Sequence, residues 1–97
     1  LESICEYLAL KRYVFWRQNN APIFDTTRKA FRAMPKYSAP GLSDILLLKR
    51  GRVYFLEVKS AKGKISPQQE EFKAKVEAEG CEYFVVRSID DVLKAGF

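Results

Sequence analysis

The stretch Gly41-Leu42-Ser43-Asp44-Ile45-Leu46-Leu47-Leu48-Lys49-Arg50-Gly51-Arg52-Val53-Tyr54-Phe55-Leu56-Glu57-Val58-Lys59 decides how this chain folds. Ile45 to Leu48 is a continuous apolar run suited to a buried strand, Lys49-Arg50-Gly51-Arg52 is a basic turn, and Val53 to Lys59 reads as the returning strand of a hairpin. Side chains alternate along a strand, so Glu57 and Lys59 share one face, about 7 Å apart, with Val53 and Phe55. A turn centred on Arg50-Gly51 pairs Lys49 with Arg52. Counting outward from that pair sets Asp44 directly across from Glu57, with side chains roughly 5 Å apart.

Like charges facing each other across a sheet are destabilising, so packing alone gives no reason to put two carboxylates there. A divalent cation does. Mg²⁺ prefers oxygen ligands and keeps several waters; Asp44 and Glu57 are close enough to share it, and the backbone carbonyl of Val58 is near enough to add a ligand. Lys59 then stands beside the ion, placed to hold or activate a water and to neutralise charge on a phosphate under attack. This arrangement suits phosphodiester hydrolysis. The plainer reading is an edge-strand Glu57–Lys59 charge pair with Asp44 flanking a turn. Against it stands the convergence of three polar residues at the ends of otherwise apolar strands.

Outward from the hairpin, Leu1, Ile4, Cys5 and Leu8 recur at helical spacing and predict an opening helix to about Lys11, with Glu2 and Glu6 one turn apart beside the apolar stripe. Tyr13 to Trp16 reads as a strand. Residues 21 to 41 carry three of the four prolines and no sustained period, although Thr27 to Met34 has the makings of a short helical turn. Beyond the hairpin, Ala61 to Ile65 is a basic, glycine-containing loop. Ser66 is an N-cap with Pro67 at the first helical position and Gln69 completing a capping box. Phe72 and Val76 give that helix its stripe and Gly80 ends it. Cys81 to Val86 follows as a strand, and Ser88 caps a last helix to about Ala95. The order is helix, three strands, helix, strand, helix.

Ninety-seven residues leave room for one core, so residues 1–97 form a single domain. No apolar run approaches the ~20 residues of a membrane span, and the start lacks a signal-peptide layout, which predicts a cytoplasmic, unsecreted protein without a membrane partner. The absence of His excludes Ser-His triads and His-ligated zinc. Cys5 and Cys81 lack metal-type spacing and read as reduced thiols. The net charge of +5 is unevenly spread: residues 11–40 hold seven basic residues against Asp25 alone, whereas 41–97 hold ten against nine. Phe24, Phe31 and Tyr37 are interleaved with those cations, a mixture suited to phosphates and bases, although a solvated connecting segment would look the same.

Gly41-Leu42-Ser43-Asp44 followed by Glu57-Val58-Lys59 resembles the signature of the PD-(D/E)XK nuclease superfamily, and the element order is similar to its αβββαβ core. The resemblance is closest to the VRR-NUC family. It is carried also by Glu2 on the opening helix, Trp16-Arg17-Gln18-Asn19, Glu57-Val58-Lys59-Ser60, Lys64-Ile65-Ser66-Pro67-Gln68-Gln69 and Val85-Val86-Arg87. Ser43 stands where the superfamily pattern has proline, and Ser88 follows Arg87 where a second arginine is the rule. The resemblance implies an α/β (α+β) restriction-endonuclease-like fold, its mixed central sheet flanked by helices, and a Mg²⁺- or Mn²⁺-dependent endonuclease. In it Asp44, Glu57, Val58 and Glu2 hold metal, Lys59 assists the attacking water, and Gln69 lies near the site. Glu6 is an equally placed helix carboxylate, Gln69 is also what a capping box requires, and Arg87 contacts either a phosphate or another protein residue. Free-standing members resemble Holliday-junction resolvases, which implies branched DNA as substrate, a homodimer, and a source that can be a phage. Arg17, Arg28, Lys29, Arg32 and Lys62 would hold the DNA backbone. Two rival readings are a non-catalytic double-stranded nucleic-acid binding module, which would bind equally well in EDTA, and a subunit that holds an acidic protein through its basic segment.

Overall fold

The structure, a computed structural model, describes residues 1–18, 24–25, 30–31 and 41–97. Helix α1 (Glu2–Leu10) leads into strand β1 (Val14–Arg17). A short pair, β2 (Phe24–Asp25) and β3 (Ala30–Phe31), precedes β4 (Ile45–Lys49) and β5 (Arg52–Val58). Helix α2 (Pro67–Ala78), strand β6 (Glu82–Val86) and helix α3 (Ile89–Lys94) follow. Four strands form one sheet in the order β1-β4-β5-β6, antiparallel except for the β5–β6 pair, which α2 joins by a crossover. Apart from β2 and β3, the order is the one expected from the sequence, an αβββαβ core followed by the last helix that Ser88 caps, and helices flank the mixed sheet on both faces.

The hairpin has the expected register, from Lys49↔Arg52 to Ile45↔Leu56. Its turn is tight because Arg50 (φ 51°) and Gly51 (φ 77°) both adopt the left-handed conformation, matching the twist of the flanking strands. One correction falls before it. Ala30–Phe31, at the centre of the expected helical turn over Thr27–Met34, is a strand in which Phe31 lies opposite Phe24, in keeping with the β preference of aromatic residues; the rest of that turn lies outside the described residues.

Alternation gives the sheet two different faces. Ile45, Leu47, Leu56 and Val86 face α1 and α3 and close with Ile4, Leu8, Val92 and Phe97 into the main core. Ile4 and Leu8, one turn apart, are the stripe that docks α1. The Phe97 ring meets Tyr13, Tyr54 and Phe84 edge-on, and its carbonyl accepts hydrogen bonds from the Tyr7 and Tyr13 hydroxyls at 2.9 and 3.0 Å.

On the other face α2 buries no residue fully and is held at a few points. Phe72 packs edge-on against Phe55 (5.4 Å) and against Tyr83 (6.2 Å). Its N-terminus is closed by the capping box: Ser66 Oγ accepts from Gln69 N at 3.1 Å, and Ser66 N donates to Gln69 Oε1 at 2.8 Å. Gly41 (φ 80°) brings the chain before β4 against that same first turn; a Cβ there would lie 2.3 Å from the Gln68 carbonyl oxygen. The start of α2 is thereby fixed over the end of the hairpin. Cys5 and Cys81 are both free thiols, as expected, and both half-buried.

Candidate active site

The two-residue turn makes Lys49–Arg52 a hydrogen-bonded pair. Alternation then makes Asp44–Glu57, one step beyond Ile45↔Leu56, a non-hydrogen-bonded pair, the kind in which side chains approach most closely. Asp44 is clasped to the end of β5 by two bonds: Asp44 N donates to Glu57 Oε1 at 3.2 Å, and Val58 N donates to Asp44 Oδ2 at 2.9 Å. The Asp44 carboxylate thus continues the ladder where β4 has ended. Because a strand residue turns its N–H and C=O toward the same neighbour, the Val58 carbonyl also lies on Asp44's side. Ser43, in the position the superfamily gives to proline, is 1 % exposed, and its hydroxyl donates to the Ile45 carbonyl at 2.9 Å. A side-chain bond there shapes the entry into β4.

Glu57 is a buried carboxylate, 3 % exposed. Burial first, and then the charge of Asp44, push its pKa up; Lys59 and a hydrogen bond from Gln69 pull it back. Lys59, two residues on and on the same face, places Nζ 3.2 Å from Glu57 Oε2. Gln69 serves the capping box through Oε1, and its side chain lies near enough to Glu57 to draw that pKa down.

Asp44, Val58, Lys59, Ser60, Arg87 and Ser88, with Leu1, Ser3 and Ile4 from the start of α1, line an open groove of about 510 Å³. The first turn of α1 therefore meets the site, and Glu2 is exposed on that turn, whereas Glu6 borders a separate hollow with Ala9 and Leu10. Among the described residues no three acidic or cysteine side chains gather as a metal cage would, so Glu2 is not drawn into the Asp44–Glu57 pair. Arg87 has a protein contact: Nη1 donates to the carbonyls of Ser60 (2.7 Å) and Gly63 (2.5 Å), tying down the loop that follows Lys59. Arg17 and Lys62 are exposed, while Arg28, Lys29 and Arg32 lie outside the described residues.

Two polar residues on this face have no role assigned from the sequence: Tyr83, and Gln18, which enters only as part of the Trp16-Arg17-Gln18-Asn19 motif. Gln18 N donates to Asp44 O at 2.7 Å, carrying β1 one step further along β4. Tyr83 is 4 % exposed, and its hydroxyl pKa is raised by burial and then by the charges of Glu57 and Asp44. The sequence gives neither a role at the site, because each comes near it only through strand pairing.

The αβββαβ core is restriction-endonuclease-like, and an Asp, a Glu and a Lys gather where β4 and β5 part. The VRR-NUC domain model matches residues 3–90, and the chain belongs to the VRR-NUC family of nuclease domains. Nucleic acid is accordingly its substrate class. A comparison with curated proteins finds no match. No described helix is long and apolar enough to cross a membrane.

Proposed function

We propose that this nuclease domain is a divalent-metal-dependent endonuclease that hydrolyses phosphodiester bonds in branched, Holliday-junction-like DNA. The observation that carries the reading is the Asp44–Glu57 clasp with Lys59 ion-paired to it, beside an open groove. Two carboxylates against one ammonium leave an uncompensated negative charge at a half-buried place. An all-oxygen donor set of that kind fits a hard cation such as Mg²⁺ or Mn²⁺. Asp44, Glu57 and the Val58 carbonyl would hold it, and Glu2, exposed on the first turn of α1, would add a carboxylate only by turning its side chain in toward the pair.

Bound there, the ion would supply a polarised phosphate and a water of lowered pKa. The chain's own residues do the rest. Lys59 orients the attacking water and offsets charge as it develops on the phosphate. The Gln69 side chain helps to orient Glu57, and Arg87 holds the Ser60–Gly63 loop through Nη1 while its exposed guanidinium, on the wall of the groove, takes a backbone phosphate. Arg17 and Lys62, together with Arg28, Lys29 and Arg32, take backbone phosphates, which makes binding strongly salt-dependent. Symmetric cutting of a four-way junction calls for two such sites related by a two-fold axis, hence a homodimer.

The test is a panel of four-way, flap and linear duplex DNA incubated with Mg²⁺, Mn²⁺ or EDTA, with sedimentation to read the oligomeric state. Ion-dependent cleavage favouring the four-way junction, by a dimer, is expected. Equal binding in EDTA with no cleavage under any condition would leave a non-catalytic nucleic-acid binding module instead.

A further inference from the structure

Among the described residues, two buried side-chain atoms have no hydrogen-bond partner: Gln18 Nε2 and Tyr83 Oη. Both belong to the face that carries the carboxylates. The Gln18 N to Asp44 O bond continues the β1–β4 register by one step, so Gln18, Asp44 and Glu57 stand abreast on three adjacent strands with their side chains on one face. From the far side Tyr83 pairs with Phe55, two residues before Glu57, and its ring packs with Phe55 and Phe72. The charges of Glu57 and Asp44 both reach its phenol. The two orphan atoms therefore flank the acidic pair from opposite edges of the sheet.

A buried donor that loses its bond to water without gaining another destabilises the fold. Methionine at 18 and phenylalanine at 83 would fill the same space without that cost. Local rules broken at a stability penalty are expected where function requires them. Each orphan can donate, Gln18 through its amide N–H and Tyr83 through its O–H, and the carboxylates between them can accept.

We propose that Gln18 and Tyr83 are positioning residues of the nuclease site, Gln18 donating to Asp44 and Tyr83 to Glu57 once the carboxylates turn from their present partners to a bound cation. The inference rests on the metal-dependent reading above. Donors of this kind fix how a ligating carboxylate points, and their loss typically weakens metal affinity or activity by roughly 10- to 100-fold.

The experiment compares the full chain with Gln18→Met and Tyr83→Phe in three measurements: the urea midpoint of the metal-free protein, the dissociation constant for Mn²⁺ by calorimetry without DNA, and single-turnover cleavage. Each variant is expected to be as stable as the parent or more so, to bind Mn²⁺ about 10-fold or more weakly, and to cleave more slowly with its KM for DNA unchanged. Mn²⁺ affinity within twofold of the parent in both variants overturns the proposal. So does a loss of affinity accompanied by a lower urea midpoint, which would assign these residues to packing. The Mn²⁺ titration needs no turnover, so a parent protein that binds Mn²⁺ but cuts no DNA defeats the nuclease proposal alone. A parent that binds no Mn²⁺ defeats both.

Discussion

Replacing Gly41 with alanine, beside the same change at Gly51, separates two costs that usually come together. Both glycines are left-handed, at φ 80° and 77°, so both alanines carry similar backbone strain, about 1–2 kcal/mol. Any gain from a stiffer unfolded chain is also shared and cancels in the comparison. The surroundings differ. A Cβ on Gly51 meets nothing within 4 Å, whereas one on Gly41 would lie 2.3 Å from Gln68 O, 2.5 Å from its carbonyl carbon and 2.9 Å from Gln69 N. All three are backbone atoms at the start of α2 and cannot swing aside, so the helix must shift, adding about 1–3 kcal/mol as overpacking does. Gly51→Ala should therefore lose about 1–2 kcal/mol and Gly41→Ala about 2–5 kcal/mol. At roughly 4–8 °C per kcal/mol, the second variant should melt at least ~8 °C below the parent. Urea titrations analysed with a common slope would read the difference. Because the displaced turn carries Gln69, Gly41→Ala should also cleave DNA more slowly per folded molecule, while Gly51→Ala should match the parent. Equal destabilisation by the two substitutions would refute the close-contact reasoning.

Further consequences follow from the capping box and the buried carboxylate. Ser66→Ala removes one half of the box and should lower stability by about 1 kcal/mol, seen as a drop of several degrees in the thermal midpoint by circular dichroism. Glu57 has its pKa raised above its ordinary 4.5 by burial and by Asp44. A carboxyl that holds its proton more firmly when folded favours folding fully below the unfolded value and loses that advantage as pH rises through the folded value. The metal-free parent should thus lose stability relative to Glu57→Gln as pH climbs above 4.5; urea midpoints that stay parallel from pH 4 to 8 would contradict this. Arg87→Ala leaves the Ser60 and Gly63 carbonyls without their donor and should raise hydrogen exchange across residues 60–64 while leaving the core protected.

The hairpin and its acidic pair were legible because a two-residue turn fixes register, and register fixes which side chains face each other. The capping box was legible for the same kind of reason: Ser66 and Gln69 are close in sequence, and their bonds are local. What stayed hidden depends on contacts between distant segments. Gln18 stands beside Asp44 only because β1 pairs with β4, and the amide pattern of β1 says nothing of which strand it joins. The bonds from Arg87 to the Ser60 and Gly63 carbonyls were hidden likewise, because they depend on that loop folding back onto the end of β6. The need for glycine at position 41 lies in the approach of α2, whose first turn comes from residues more than twenty positions later. At Ala30–Phe31 the helical reading gives way because pairing with Phe24–Asp25, another contact between separated segments, decides the backbone there.

Single-turnover cleavage of a four-way junction in Mg²⁺, comparing the parent with Lys59→Ala and Glu57→Gln at matched folded concentration and saturating protein, bears most directly on the assembly of Asp44, Glu57 and Lys59 as the reacting centre. Both variants should bind the junction nearly as the parent does and cut it at least ~100-fold more slowly, the scale of loss seen when a positioned charge is removed from a transition state. A rate close to the parent's in either variant would contradict the assignment of these residues to the chemistry.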